Sequence, residues 1–436
     1  MQKQIDNLVE NFLEETKGKN IRIISHFDTD GITSAAIMAK TLQRLDKTFS
    51  LSIVKQLEED MIYGLPENEI ILLLDLGSSS LEYFGKIKNK IFIIDHHEIT
   101  SKTSENTRII NPHLTGGEEI SGAGLTYLFS KSISSQNKDL ANLAIIGMVG
   151  DMLGQNISRI NNGIVTDSEV IIKRGLLLYP STRPIHKTLE FSSGIFIPGV
   201  TGNSRGVVNF LKEIGIEKNN GEYKSLIELN EEETSKLITG ILLRRAKKEN
   251  SDIIGNIYLV KFFNRLEDAR ELSAMINACS RLDYKDIALS LCMGDKKARQ
   301  KAESIYASYK QHLVSALNYV ANTEKIEGKG YIIINAKNEI KDTIIGTVAS
   351  ILASSFVYEE GTIIVTMAYS DDKIKASARV CGREGRNVRE ILANSLDIKA
   401  ECGGHSLAAG CLIPRDYEAT FIKNLKKQLD IELVKV

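Results

Sequence analysis

The stretch "IRIISHFDTDGITSAAIMAKTLQRL" (21–45) decides the fold class. Its opening, "IRIIS", is apolar and rich in β-branched residues, the composition of a strand buried on both faces. "TSAAIMAKTLQRL" (33–45) then carries Ala and Leu at helical density, with Thr33 expected as its cap. Between strand and helix stand His26, Asp28 and Asp30, on alternate positions ahead of Gly31. Three runs of the strand kind follow, "LSIV" (51–54), "IILLLD" (70–75) and "IFIID" (91–95), with crossover-length segments between several of them. The pattern predicts an α/β protein opening on a parallel sheet with helices on both faces.

Parallel strands bring their carboxyl ends to one rim, and open α/β sheets bind ligands there. His26, Asp28 and Asp30 follow the first run, Asp75 closes the third, and Asp95, His96 and His97 close the fourth. Asp151, ending the helical "GMVGD", is a further contributor, and Gly147 and Gly150 before it allow another backbone to approach. Taken singly, Asp28 and Asp30 read as an Asx turn capping the helix at 33, and Asp75 as a strand-end cap. The adjacent pair His96–His97, in a chain with seven histidines, resists so plain a reading. If four carboxylates share one pocket, each pair about 4 Å apart costs roughly 4 kcal/mol at an effective dielectric near 20. Two divalent cations would neutralise them, and oxygen-rich sites with one imidazole per ion suit Mn²⁺, or alternatively Mg²⁺.

The bulk composition fits this. The chain has 436 residues, 42% hydrophobic and 25% charged, which predicts two or three ordinary globular domains. A net charge of -1 excludes a globally basic nucleic-acid binder, while 55 Lys and Arg allow a local basic groove. The first 15 residues read as an amphipathic helix, and no apolar run reaches a membrane span. Five cysteines without a C-x-x-C pair point to reduced thiols and a cytoplasmic location. Residues 155–210 are turn-rich, and 211–325 read as charged amphipathic helices. A second α/β pattern starts near 328 and reaches the loop "KAECGGHSLAAG" (399–410), where Gly403, Gly404 and His405 can meet an anion. Arg379, with Arg383, Arg386 and Arg389, is a candidate anion-binding wall, or else a solvated basic face. The expected domains are 1–205, a helical bridge at 206–327, and a smaller C-terminal α/β domain at 328–436. Neither a Rossmann fingerprint nor a P-loop occurs.

In order, "SHFDTDG", "LLLDLG", "DHH", "GMVGD" and "GGHSLAAG" resemble the DHH phosphoesterase superfamily with its DHH-associated C-terminal domain. Within it the chain looks most like RecJ-type single-strand exonucleases, the archaeal RecJ-like and GINS-associated kind especially. The resemblance implies a two-metal phosphodiesterase. It puts His26 and Asp28 on one metal, Asp30, His96 and Asp151 on the other, and Asp75 across both. It makes Asp95 the group that orients a histidine, and His97 the contact to the scissile phosphate. Arg379, Gly403, Gly404 and His405 would hold substrate phosphate, although Cys402 stands where the family loop commonly has its first glycine. The implied partners are single-stranded nucleic acid and GINS or a replicative helicase. The alternatives are a nano-RNase or 3′,5′-bisphosphate phosphatase, and a replisome interaction module.

Overall fold

A computed structural model describes all residues except 100, 115, 193–194, 196, 246–252, 355–356, 383, 399–400 and 432–436. The chain divides into two compact units. The first comprises 1–182, 225–227 and 254–306; the second comprises 183–224, 228–253 and 307–436. Compactness thus groups 254–306 with the N-terminal residues, where the sequence suggested one continuous bridge over 206–327.

The first unit is built on five parallel strands: β1 (Ile21–His26), β2 (Phe49–Val54), β3 (Ile70–Leu74), β4 (Ile91–Ile94) and β5 (Thr107–Ile110). Their order is β2-β1-β3-β4-β5, so the chain reverses its direction of travel across the sheet between β1 and β3. Crossovers leave that point on opposite faces and open a crevice beyond the strand ends. β3 and β4 are buried at every residue, which is why they read as unbroken apolar runs. β5, "TRII", was not among the expected strands; its central Arg108 is exposed and breaks the apolar run.

The helix Gln2–Glu15 buries Ile5, Leu8, Val9 and Phe12, the i, i+3, i+4, i+7 stripe of an amphipathic helix. Phe12 meets Phe92 and Phe129 edge-to-face, at centroid distances of 5.2 and 5.4 Å. Such pairs contribute about 0.5–1.5 kcal/mol each beyond burial. The helix after β1 starts at Thr29, four residues before the expected start. Asp28 caps it, its side chain accepting from Gly31 N at 3.0 Å, so Thr33 lies inside the helix.

A three-stranded antiparallel sheet in this unit, β6 (Ile171–Leu176), β7 (Ile254–Phe262) and β8 (Arg265–Asp268), replaces part of the expected helical bridge. β6 exposes its first four residues and has no alternation to read, and its partner β7 lies some 80 positions away. The helices Ala269–Arg281, Lys285–Met293 and Lys296–Asn322 follow as the charged periodicity predicts.

The second unit holds a mixed sheet: β9 (Ile326–Gly328), β10 (Tyr331–Asn335), β11 (Ile363–Ser370), β12 (Lys373–Val380), β13 (Glu401–His405) and β14 (Ala408–Pro414). The order is β13-β14-β12-β11-β10-β9, and only β10–β11 is parallel. The segment expected as a loop over 399–410 is therefore largely a hairpin. Among the described residues no helix is long and apolar enough to cross a membrane.

Candidate metal centre

β1 ends on His26, β3 runs straight into Asp75, and β4 into Asp95, His96 and His97, all at the rim where the strand order reverses. Asp75 turns the chain there with φ +57°, a left-handed conformation uncommon outside glycine, which Asp and Asn tolerate best. Three helices complete the rim. Asp28 caps Thr29–Arg44 and Asp30 lies in its first turn, while Asp151 is the C-cap of Ala141–Gly150. The third, Gly122–Ile133, points its N-terminus at Asp30: Gly122 N donates to Oδ2 at 2.5 Å and Ala123 N to Oδ1 at 3.0 Å. Orphan helix N–H groups thereby hold a carboxylate that is 1% exposed.

Two triads of side chains flank Asp75, and Asp75, His96 and His97 make a third, overlapping set of possible ligand atoms. His26 Nδ1 lies 3.1 Å from Asp28 Oδ1 and 3.4 Å from Asp75 Oδ2. His96 Nε2 lies 3.2 Å from Asp151 Oδ2, 3.3 Å from Asp75 Oδ1 and 3.8 Å from Asp30 Oδ2. In the sets His26–Asp28–Asp75 and Asp30–His96–Asp151, each residue offers one ligand atom within 4.8 Å of the others. Both oxygens of Asp75, Asp151 Oδ2 and His26 Nδ1 are buried without a hydrogen bond. Buried polar atoms are almost always satisfied, so atoms left open toward a common point fit a cation.

The electrostatics agree. Burial and the charge of Asp75 push the Asp30 carboxyl up. Burial, then Asp30, Asp75 and Asp28, push up Asp151. At His96 burial favours the neutral ring, yet Asp75 and Asp30 outweigh it and raise the pKa to about 9. Burial likewise opposes protonation of His26, and the charges of Asp28 and Asp75 raise it well above the imidazole range. Without added positive charge, crowding disfavours ionised Asp30 and Asp151 and favours protonated His26 and His96. Two divalent ions would take the place of the protons, with oxygen and imidazole donors of the kind that suit Mn²⁺ or Mg²⁺.

Asp95 stands behind this layer, fully buried. It accepts from Ser78 N at 2.9 Å, His96 N at 2.8 Å, and His97 through N at 3.2 Å and Nδ1 at 2.7 Å. Burial opposes its ionisation, but His97 and Ser78 hold its carboxyl below the usual carboxylate range. His97 keeps half of its side chain exposed, with Nδ1 engaged by Asp95 and 4.0 Å from Asp75 Oδ1. Two supports were not anticipated: Asn111 Nδ2 donates to Ser78 Oγ at 2.9 Å and to His97 O at 2.8 Å. Asn111 directly follows β5, and the strand-end rule that located the other residues missed it because β5 does not read as an apolar run.

In the second unit, Arg379, Ala408 and His405 occupy one row across β12, β14 and β13. Opposed residues of antiparallel strands share a face, which sets the arginine and the histidine two strand spacings, roughly 10 Å, apart. Arg379 Nε donates to Ser350 Oγ at 3.0 Å and Nη1 to Ala378 O at 2.8 Å. Gly403, Gly404 and His405 are exposed. Gly404 has φ +120°, and a Cβ there would stand 2.4 Å from Ala408 O. Arg386 leaves the anticipated basic wall: it donates to Leu429 O at 2.8 Å and to Gln428 O, capping the helix Glu418–Leu429. Arg389 is exposed on the helix Val388–Asn394, and Arg383 lies outside the described residues.

Three sequence patterns match the chain: the DHH family N-terminal domain over 20–148, the DHH-CID domain over 178–253 and the DHHA1 domain over 328–430. An uncharacterized protein of Methanocaldococcus jannaschii is 28% identical, over 95% of this chain and 94% of its own length. The single-stranded-DNA-specific exonuclease RecJ of Bacillus subtilis is 22% identical over 94% of this chain, which spans only 45% of that protein. Among solved structures, RecJ in complex with Mn²⁺ from Thermus thermophilus aligns with TM-score 0.64 and 17% identity, covering 99% of this chain and 55% of that one. CDC45 from Entamoeba histolytica aligns with TM-score 0.66 and 13% identity, over 99% of both chains. At these identities the two structures share the fold.

Proposed function

Because the chain belongs to the DHH superfamily and is RecJ-like, we propose that it is a two-metal phosphodiesterase, a single-strand-specific exonuclease acting on DNA or RNA in replication or repair. One observation carries the reading: two triads of ligand atoms meet through Asp75 at the strand-order reversal of a parallel sheet. We assign His26, Asp28 and Asp75 to one cation, and Asp30, His96 and Asp151 with Asp75 to the other. Mn²⁺ is the favoured ion. A pair of divalent ions supplies the charge that neutralises phosphoryl oxygens and the Lewis acidity that activates water.

The chain's own groups do the rest. Asp95 fixes the ring of His97 through Nδ1, which leaves Nε2 to donate to the scissile phosphate or its leaving oxygen. Arg379 and the Gly403–Gly404–His405 strand hold a substrate phosphate. In functional terms we assign hydrolysis to the first compact unit, whose 254–306 come from the bridge expected over 206–327, and substrate binding to 328–436, in a cytoplasmic protein.

Replacing Asp75 by Ala is expected to abolish Mn²⁺-dependent hydrolysis while leaving the circular dichroism spectrum unchanged. Single strands labelled at either end, in DNA and RNA versions, give polarity and preference in the same assay. Equal activity on two-nucleotide and thirty-nucleotide strands would favour a nano-RNase or bisphosphate phosphatase. A second reading, a GINS- or helicase-associated module, is favoured by the CDC45 fold's match over 99% of both chains. Co-purification with GINS tests it, and the filled ligand positions make it an added role.

A further inference from the structure

Asp28 and Asp30 belong to different triads, and the residue between them, Thr29, is gripped from far along the chain. Thr29 is the first residue of its helix, so its N–H has no partner within that helix. Asn277 Oδ1 accepts it at 3.0 Å. The Thr29 hydroxyl donates to Ser273 O at 2.9 Å and accepts from Ser273 Oγ at 3.1 Å. Thr29 and Ser273 are buried, and both partners stand on the helix Ala269–Arg281. A Cβ added at Gly150, the residue before Asp151, would lie 3.0 Å from Thr29 Cβ and 3.1 Å from Ser273 Oγ. One contact point therefore adjoins the backbone of three carboxylate residues, Asp28, Asp30 and Asp151.

From this juxtaposition we propose that Ser273 and Asn277 are positioning residues that set the separation of the two cation sites by fixing Thr29. The inference rests on the two-cation reading above. A pivot free to shift by a fraction of an ångström moves Asp28 and Asp30 together. Asp75, held at the end of β3, stays put, so the two triads cannot both keep their geometry. A purely structural role would instead lower stability and leave the ions as they are.

The test is Mn²⁺ titration by calorimetry with electron paramagnetic resonance of the full chain. Wild type is expected to bind two Mn²⁺ with a spin-coupled spectrum. In Asn277→Ala and Thr29→Val the weaker site should lose tenfold or more in affinity, about what lost outer contacts cost. The six-line spectrum of isolated Mn²⁺ should then appear at two equivalents. Thr29→Ser keeps both the hydroxyl and the N–H and should restore coupling, which separates geometry from misfolding if Asn277→Ala fails to fold. Coupled pairs in Asn277→Ala and Thr29→Val, with wild type binding two ions, would overturn the positioning role alone. A wild type that binds fewer than two would overturn the two-cation reading and this inference with it.

Discussion

Gly147 shows how little room the centre leaves. A Cβ there would stand 2.5 Å from Asp30 Oδ1, 2.5 Å from Ala123 Cβ and 2.7 Å from Thr33 Oγ1. Gly147→Ala must push the helix Ala141–Gly150 away from the sheet rim, at about 1–3 kcal/mol for such overpacking, and carry Asp151 with it. Urea unfolding of the EDTA-treated variant should show that loss, and Mn²⁺ titration should show at least a tenfold weaker site. Asp95 makes a different kind of contribution. Asp95→Asn leaves one oxygen for the donors now shared between two, and loosens the ring of His97. The expected result is a fall of about 10–100-fold in kcat, with Mn²⁺ affinity and KM nearly unchanged. An equal fall in Mn²⁺ affinity would instead make Asp95 a support of His96. The acidic and imidazole residues of the site were readable because strand-end chemistry is local in sequence. Asp28, however, offered two readings, cap or ligand, and the geometry gives it both at once.

At the scale of elements that double duty can be taken apart. Asp28 caps the helix Thr29–Arg44, and a cap lost to Ala costs about 1 kcal/mol, while Ser is an equally good cap. Asp28→Ser and Asp28→Ala should therefore be equally poor in Mn²⁺-dependent hydrolysis. With EDTA present, chemical denaturation should find the Ser variant about 1 kcal/mol more stable than the Ala variant. Elements that bury both faces or one clear stripe, such as β1, β3, β4 and the helix Gln2–Glu15, announce themselves in the residue pattern. β6–β8 do not. β7 is pinned by contacts to a distant turn, Tyr258 Oη to Gly154 O at 2.6 Å and Asn256 N to Gln155 Oε1 at 2.8 Å, which periodicity cannot register. The β13–β14 hairpin was hidden for another reason. Its glycines and alanines carry turn or helix propensity, and pairing with β12 overrides that propensity.

Over the whole molecule the charge nearly cancels, at -1, yet the first unit concentrates four carboxylates at one rim. Fold and cluster are thereby linked through protons. In the metal-free protein Asp30, Asp151, His26 and His96 all have raised pKa values, so the folded state holds protons that the unfolded chain releases at lower pH. For the carboxyls, stability is fully present below about 4 and lost as pH climbs through their raised values. For His96 it is present below about 6.5 and lost as pH rises through its folded value near 9. Asp28 and Asp95 act the opposite way, but their loss falls on the acid side of the carboxylate range and does not enter above pH 6. The metal-free protein should consequently melt at progressively lower temperature from pH 6 to pH 9. Bound cations take the place of those protons, so Mn²⁺ should bind more tightly as pH rises, and its increment in melting temperature should grow over the same interval. Thermal melts with EDTA and with saturating Mn²⁺, at pH 6, 7.5 and 9, measure both slopes. A metal-free melting temperature that rises through this range would mean that the carboxylates and imidazoles of the rim do not share their protons as their geometry requires.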